Sequence, residues 1–261
     1  MDPDTSEASA DLGATTQQPA SPGALVPVAD AEPTPGLGHL WREWLKPVIF
    51  VIAGMLSLRS AVADWNHVPS ESMMPTILVG DRIFVNKLAY DLRVPFTTMR
   101  VASWDEPERG DIIVFLSPAD GKRLVKRVAG GPGDLLEMRD KRLIVNGQLA
   151  RYAPLGSRAR QELAGREQSR YTMTAETVEG APTHPILIAP WRPYFESFGP
   201  LEVPADHYFV LGDNRDDSAD SRAFGFVPAD QVLGQATAIA LSVDPEHGYR
   251  PRWRRFFSEL R

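Results

Sequence analysis

From residue 66 to residue 248 the chain reads as short apolar segments separated by turn signals, with no long amphipathic helical pattern between them. The segments are 82–87, 111–116 after Gly110, 122–129, 135–139, 143–145, 207–211 and 232–243. Each is short enough to be a strand, and the last is long enough to bend. Gly130-Gly131-Pro132-Gly133-Asp134, Asp140-Lys141 and Asn146-Gly147 supply the reversals between them. Strands without intervening helices cannot form a crossover-connected parallel sheet. The pattern therefore predicts a mainly β domain, a coiled antiparallel β-sheet with a barrel-like closure. Residues 151–185 are polar and lack a core period, and they read as an extended insertion or lid.

Upstream, the character changes twice. The net charge of −6 resides in residues 1–40, which hold six carboxylates and no Lys or Arg, so the other 221 residues sum to zero. That segment is rich in Ala, Pro, Ser and Thr, has no aromatic residue, and reads as a disordered acidic tail. At Trp41 an apolar stretch begins, whose uninterrupted part, Pro47 to Leu58, has twelve residues. A helix of that length suits a buried core position, being shorter than the roughly 20 residues a bilayer requires. Extended through Trp65, with Trp44 and Trp65 as interfacial anchors and Arg59 snorkelling, it suits a membrane span. The sequence thus divides into a tail (1–40), an anchor helix (41–65), a β domain (66–248, with the insertion 151–185) and a basic aromatic C-terminal tail (249–261). Within it, Tyr249 to Phe257 places four arginines among aromatic residues. It suits a solvated tail or anionic lipid headgroups; for nucleic acid, one short patch on a neutral domain is a thin footprint.

The absence of cysteine removes disulfides, thiol nucleophiles and thiolate metal sites. The five histidines show no metal-ligand spacing, and no HExxH, GxSxG or Walker sequence occurs. Lysine is scarce, five against 23 arginines, and a desolvated lysine can serve as a neutral base where arginine cannot. Alternation in 124–128 puts Lys126 between Leu124 and Val128 on one face, which fits a depressed pKa; an edge-strand lysine with its ammonium in water fits the same pattern. Ser70 and Ser72, in Val68-Pro69-Ser70-Glu71-Ser72-Met73-Met74-Pro75-Thr76, can present a nucleophile and a neighbouring hydroxyl from one turn, although serine-rich turns are common. Gly212-Asp213-Asn214-Arg215-Asp216-Asp217-Ser218-Ala219-Asp220-Ser221-Arg222 lacks the glycine and glutamate of a calcium loop, and its arginines suit an internally paired, rigid loop instead.

In this order and behind an apolar segment, Pro69 to Thr76, Arg109 to Phe115, Lys126 to Asp134 and Gly212 to Arg222 resemble the bacterial type I signal peptidases, membrane-bound Ser-Lys endopeptidases. The resemblance covers roughly residues 45–243. Glu71 stands where the family frequently has glycine. The resemblance implies Ser72 as nucleophile, Lys126 as general base, Ser70 in the oxyanion hole and Ser218 orienting the base. It also implies Asp213, Asp220 and Arg222 as structural support and Met73 in the substrate cleft. It further implies cleavage of exported preproteins after Ala-x-Ala-like sites, contact with membrane lipids but not nucleic acid, and no metal or organic cofactor. The implied setting is the cytoplasmic membrane, with the N-terminus cytoplasmic and the catalytic domain on the outer face. Two other readings remain open, a self-cleaving Ser-Lys regulatory protease and a noncatalytic anchored β module.

Overall fold

The computed structural model describes residues 45–94, 97, 99–156, 171–192 and 196–260; the acidic segment 1–40 lies outside them. The chain separates into two units, Met1–Pro47 and Val48–Arg261, and the second carries all of the described β structure. Helix α1 (Lys46–Val62) has 17 residues, a length of about 25 Å against the roughly 30 Å of a bilayer core. Among the described residues no helix is long and apolar enough to cross a membrane. Its side chains Val48, Ile49, Phe50, Val51, Ile52 and Met55 are exposed. The helix expected to reach residue 65 stops earlier because β1 (Ala63–His67) pairs along five residues with β2 (Asp81–Asn86). The Asp64 carboxylate in β1 then meets Lys87 at 3.7 Å and Arg123 at 3.3 Å.

From β1 and β2 the main sheet continues through β16 (Val232–Asp244), β5 (Ile112–Leu116), β6 (Arg123–Gly130), β14 (His207–Leu211) and β15 (Val227–Pro228). These pairings are antiparallel. The unbroken apolar run of β5 reflects burial on both faces. Ile112 and Val114 pack with Met73, Ile77, Ile83 and Val85, whereas Ile113 and Phe115 pack with Val128, Tyr208 and Val210. A ribbon of β3 (Asp91–Arg93) and β4 (Arg100–Ser103) stands apart from this sheet. A second sheet orders β13 (Phe198–Glu202), β7 (Leu135–Arg139), β8 (Arg142–Val145) and β9 (Gln148–Leu149) over its own core of Leu136, Met138, Leu143 and Val145. Its two reversals use paired positive φ angles, 47° and 63° at Asp140-Lys141 and 53° and 78° at Asn146-Gly147, the geometry of two-residue hairpin turns.

Two segments differ from their sequence-based expectation. The insertion is in part a third sheet, β10 (Arg151–Pro154), β11 (Thr172–Thr177) and β12 (His184–Ile188), while residues 157–170 lie outside the described set. Polar residues obscured it because within 151–185 the buried Glu176 and His184 are charged or polar, and the buried apolar Ile186 and Leu187 of β12 lie just past that stretch. The C-terminal segment is bonded to the domain rather than trailing as a tail, with β17 (Arg250–Pro251) and β18 (Ser258–Glu259) both pairing with β16. Arg255 reaches the buried Asp81 carboxylate at 2.7 Å, so these arginines spend part of their charge inside the fold.

Strand β16 connects most of this. It serves β5 with one end and β2 with its middle, with register breaks between Val232 and Gly234, Ala236 and Ala238, and Ile239 and Leu241. Such bulges bend a strand and increase its twist. Gly234, at φ 153°, lets the Asn86 carbonyl oxygen approach to 2.5 Å from where a Cβ would stand. Gly234→Ala should therefore lower stability by about 1–3 kcal/mol, read as a lower midpoint in urea unfolding; an unchanged midpoint would show that β2 yields without loss.

Candidate active site

The turn after β1 is pinned at both ends and from beneath. Val68 N donates to Asp81 O at 3.0 Å, Gly80 N to Val68 O at 3.2 Å, and Met74 N to Glu71 O at 2.9 Å. Met73, expected in the substrate cleft, is fully buried and packs with Val68, Ile77 and Ile83 under the turn. Ser70 is exposed and Ser72 is 8% exposed, with their hydroxyl oxygens 3.3 Å apart.

Strand β6 delivers Lys126 to this turn. Its side chain is 2% exposed, lies across from Ile113 in the β5 register, and places Nζ 2.6 Å from Ser72 Oγ and 2.9 Å from the Val125 carbonyl oxygen. As an ammonium, Nζ donates to the serine; as a neutral amine, it can accept the serine proton across the same contact. Burial lowers the Lys126 pKa from 10.5 to about 8, against the opposing pull of the Asp220 and Asp213 carboxylates.

The next residue along β6 anchors the loop that faces the pair. Arg127 donates to both Asp213 oxygens, at 2.9 and 2.8 Å, and to the Gly110 carbonyl oxygen at 2.8 Å. The Thr76 hydroxyl also donates to Asp213, tying the serine turn to the same carboxylate. Burial pushes the Asp213 pKa up, but the Arg127 guanidinium more than reverses it and the net shift is downward. Asp220 caps α2 (Ser221–Phe224), accepts from Gly212 N at 3.0 Å, and pairs with Arg222 at 2.7 Å. Asn214 N donates to Ser72 O at 3.1 Å, and its side-chain amide to Glu71 O at 3.3 Å.

Ser70, Ser72, Lys126, Asp213, Asp220 and Arg222 thus belong to one contiguous constellation. Ser218 lies against it, because a Cβ on Gly212 would stand 2.2 Å from Ser218 Oγ and 2.5 Å from Ser72 O. The Ser218 hydroxyl is buried and has no hydrogen-bond partner among the described residues. Arg127, Thr76 and Asn214 have no sequence-based assignment; the Lys126-Arg127 pair was the available signal for the first, and the others depend on contacts across 137 and 143 residues. Among the described residues no group of three or more His, Asp or Glu side chains is placed to hold a metal ion.

Comparison with known proteins finds relatives for the chain. A family model described as signal peptidase, peptidase S26, matches residues 41–241. Signal peptidase I of Pseudomonas fluorescens is 36% identical over 222 residues, 80% of this chain and 75% of that protein. Its counterpart in Pseudomonas aeruginosa is 36% identical over 225 residues, with the same shares of both chains. A crystal structure of a signal peptidase I from Enterococcus faecalis is 34% identical, covers 52% of this chain and 100% of its own, and superposes with a TM-score of 0.31.

The buried amine has a thermodynamic consequence. Between pH 8 and 10.5 the unfolded chain binds more protons at Lys126 than the native one, so stability rises with pH across that window. Below pH 8 the penalty is fully present, about 3 kcal/mol at pH 7 for this shift. Lys126→Met should therefore raise the thermal midpoint at pH 7 and lose that advantage near pH 10.5; a variant less stable than the parent at pH 7 would refute the penalty.

Proposed function

The chain belongs to the peptidase S26 signal peptidase family and is a hydrolase of that kind, and from that premise we propose that Ser72 and Lys126 are the dyad with which it cleaves signal peptides from exported preproteins. The observation carrying this reading is the 2.6 Å contact between a nearly inaccessible lysine amine and the serine oxygen. Neutral Lys126 takes the Ser72 proton as the oxygen attacks the scissile carbonyl carbon, forming a tetrahedral oxyanion. The Ser70 hydroxyl, beside Ser72, and the Ser72 backbone N–H stabilise that oxyanion. Protonated Lys126 gives its proton to the departing amine, and water then releases the acyl group from Ser72. Ser218 orients Lys126 once substrate fills the cleft, and the Asp213 and Asp220 ion pairs hold the loop during both steps. An extended peptide with small side chains near the scissile bond, of the Ala-x-Ala type, fits recognition by strand pairing beside this turn.

The membrane setting has its own support. The exposed apolar side chains of α1 need a nonaqueous cover, and Trp65 stands exposed just beyond the helix. The helix belongs to a single anchor, with the N-terminal tail cytoplasmic and the β domain on the outer face. Exposed Tyr249, Trp253 and Phe257, with exposed Arg250 and Arg254, suit contact with anionic lipid headgroups.

Incubation of the detergent-solubilised full chain with a preprotein, followed by sequencing of the new N-terminus, tests the reading. Ser72→Ala and Lys126→Ala should each lower cleavage by at least about a hundredfold while circular dichroism is retained. Full activity in either purified variant overturns the dyad. Because the base must be neutral, the wild-type rate should climb tenfold per pH unit below about 8 and level off above it. A rate independent of pH between 6 and 8 would exclude Lys126 as the titrating base.

A further inference from the structure

The loop carrying Asp213 and Asn214 is held from its far side by a residue of the polar insertion. Glu176 lies on β11, is 0% exposed, and receives Arg215 on both oxygens, Nη1 at 2.9 Å from Oε1 and Nη2 on Oε2. Tyr152 of β10 donates to Oε1 at 2.6 Å, and His184 Nε2 of β12 lies 3.3 Å from Oε2. All three strands of the insertion sheet therefore meet at one carboxylate. Burial works against its ionisation, yet the Arg215 guanidinium more than compensates and holds the pKa far below the usual carboxylate range.

What this carboxylate holds is one residue from the serine's own tether. Arg215 follows Asn214, whose N–H donates to Ser72 O at 3.1 Å. The backbone on either side of Asn214 is also fixed to β12, through Leu187 N to Asp213 O at 2.8 Å and Arg215 N to Leu187 O at 2.9 Å. A main-chain clamp and a buried charge clamp thus act on the same three residues from one small sheet. An ion pair sealed from water contributes little net stability but resists displacement strongly, because either partner left alone is a buried unpaired charge.

We propose that Glu176 is a positioning residue for the cleavage reaction: through Arg215 it fixes Asn214, and through Asn214 the backbone of Ser72, so that the insertion sheet serves as the brace of the active site. This rests on the reading of Ser72 and Lys126 as the dyad. Glu176 touches neither the serine nor the lysine, so its loss misplaces the nucleophile without removing a reacting group. Misplacement by a fraction of an ångström to an ångström costs on the order of tenfold to a hundredfold in rate.

The test compares the full-length wild type with Glu176→Gln, Arg215→Met and the double variant in preprotein cleavage, with Ser72→Ala as the control. Rates are expressed per folded molecule, the folded fraction being read by circular dichroism at the assay temperature. Glu176→Gln should lower kcat at least about tenfold with KM changed less than twofold, and the double variant should lose no more than the worse single variant. A normal kcat per folded molecule with a lowered Tm would mean a purely structural role and overturn the proposal. If Glu176→Gln does not fold, Tyr152→Phe, which keeps the ion pair and removes the hydroxyl's bonds to Glu176 and from Leu143 N, should still lower kcat about two- to fivefold; an unaltered kcat there overturns it as well. Cleavage by Ser72→Ala would instead sink the dyad reading, an outcome distinct from a dead Ser72→Ala beside a fully active Glu176→Gln.

Discussion

A lysine amine kept out of water is the constraint around which the domain is arranged. An ammonium in a dry interior is unfavourable, and the molecule tolerates this one only by surrounding it with structure that cannot relax. Lys126 sits mid-strand in β6, with Ile113 opposite it in register and Leu124 and Val128 two residues to either side. Both faces of the neighbouring β5 are packed, so the sheet has little freedom to admit solvent by rocking. The two carboxylates nearest in effect, Asp220 and Asp213, would by themselves favour the charged amine, but each is already engaged by an arginine. Desolvation wins, and the amine is left close to the balance point between its two protonation states at neutral to mildly alkaline pH.

Those arginine partners form a second theme. Arg127 with Asp213, Arg215 with Glu176, and Arg222 with Asp220 are all sealed from solvent. Hydrophobic replacements of the same volume would serve stability as well or better. What ion pairs add is intolerance of misplacement, and all three converge on a single eleven-residue loop, 212–222. The Asp213 pair reaches the main sheet, the Glu176 pair the insertion sheet, and the Asp220 pair closes the loop on itself. A loop lacking regular secondary structure over most of its length is thereby tied to two sheets and to itself.

Much of this architecture was legible in the sequence, and the remainder was hidden for identifiable reasons. The segments read as strands at 82–87, 111–116, 122–129, 135–139, 207–211 and 232–243 lie within two residues of β2, β5, β6, β7, β14 and β16, because their faces are covered by apolar partners that leave a local pattern. Asn146-Gly147 and Asp140-Lys141 mark turns since few other residues accept their backbone angles. The end of α1 was misplaced because Ala63, Asp64 and Trp65 carry no strand pattern; pairing with β2 decides their state. The insertion sheet escaped notice because its interior is organised by Glu176, His184 and Arg215, and charged residues read as surface when their partners are 39 positions away. Within the site, Ser70, Ser72 and Lys126 could be singled out by residue type, whereas Thr76, Asn214 and Arg127 owe their places to contacts that no local spacing encodes.

The reach of β16 bears on the order in which the molecule can come together. Its bulged length pairs with β2, some 150 positions earlier, and the loop that holds Ser72 and Asp213 in place precedes it by only ten residues. Closing such distant contacts is slow, because chain entropy is lost before the pairings that offset it form. Ser72 and Lys126 both lie in the first half of the chain, yet the loop and strand that hold their surroundings emerge from the ribosome late. A nascent chain therefore carries Ser72 and Lys126 through much of the second half of its synthesis without the dry, braced environment that lowers the lysine's pKa, and that environment is complete only once the last strands dock.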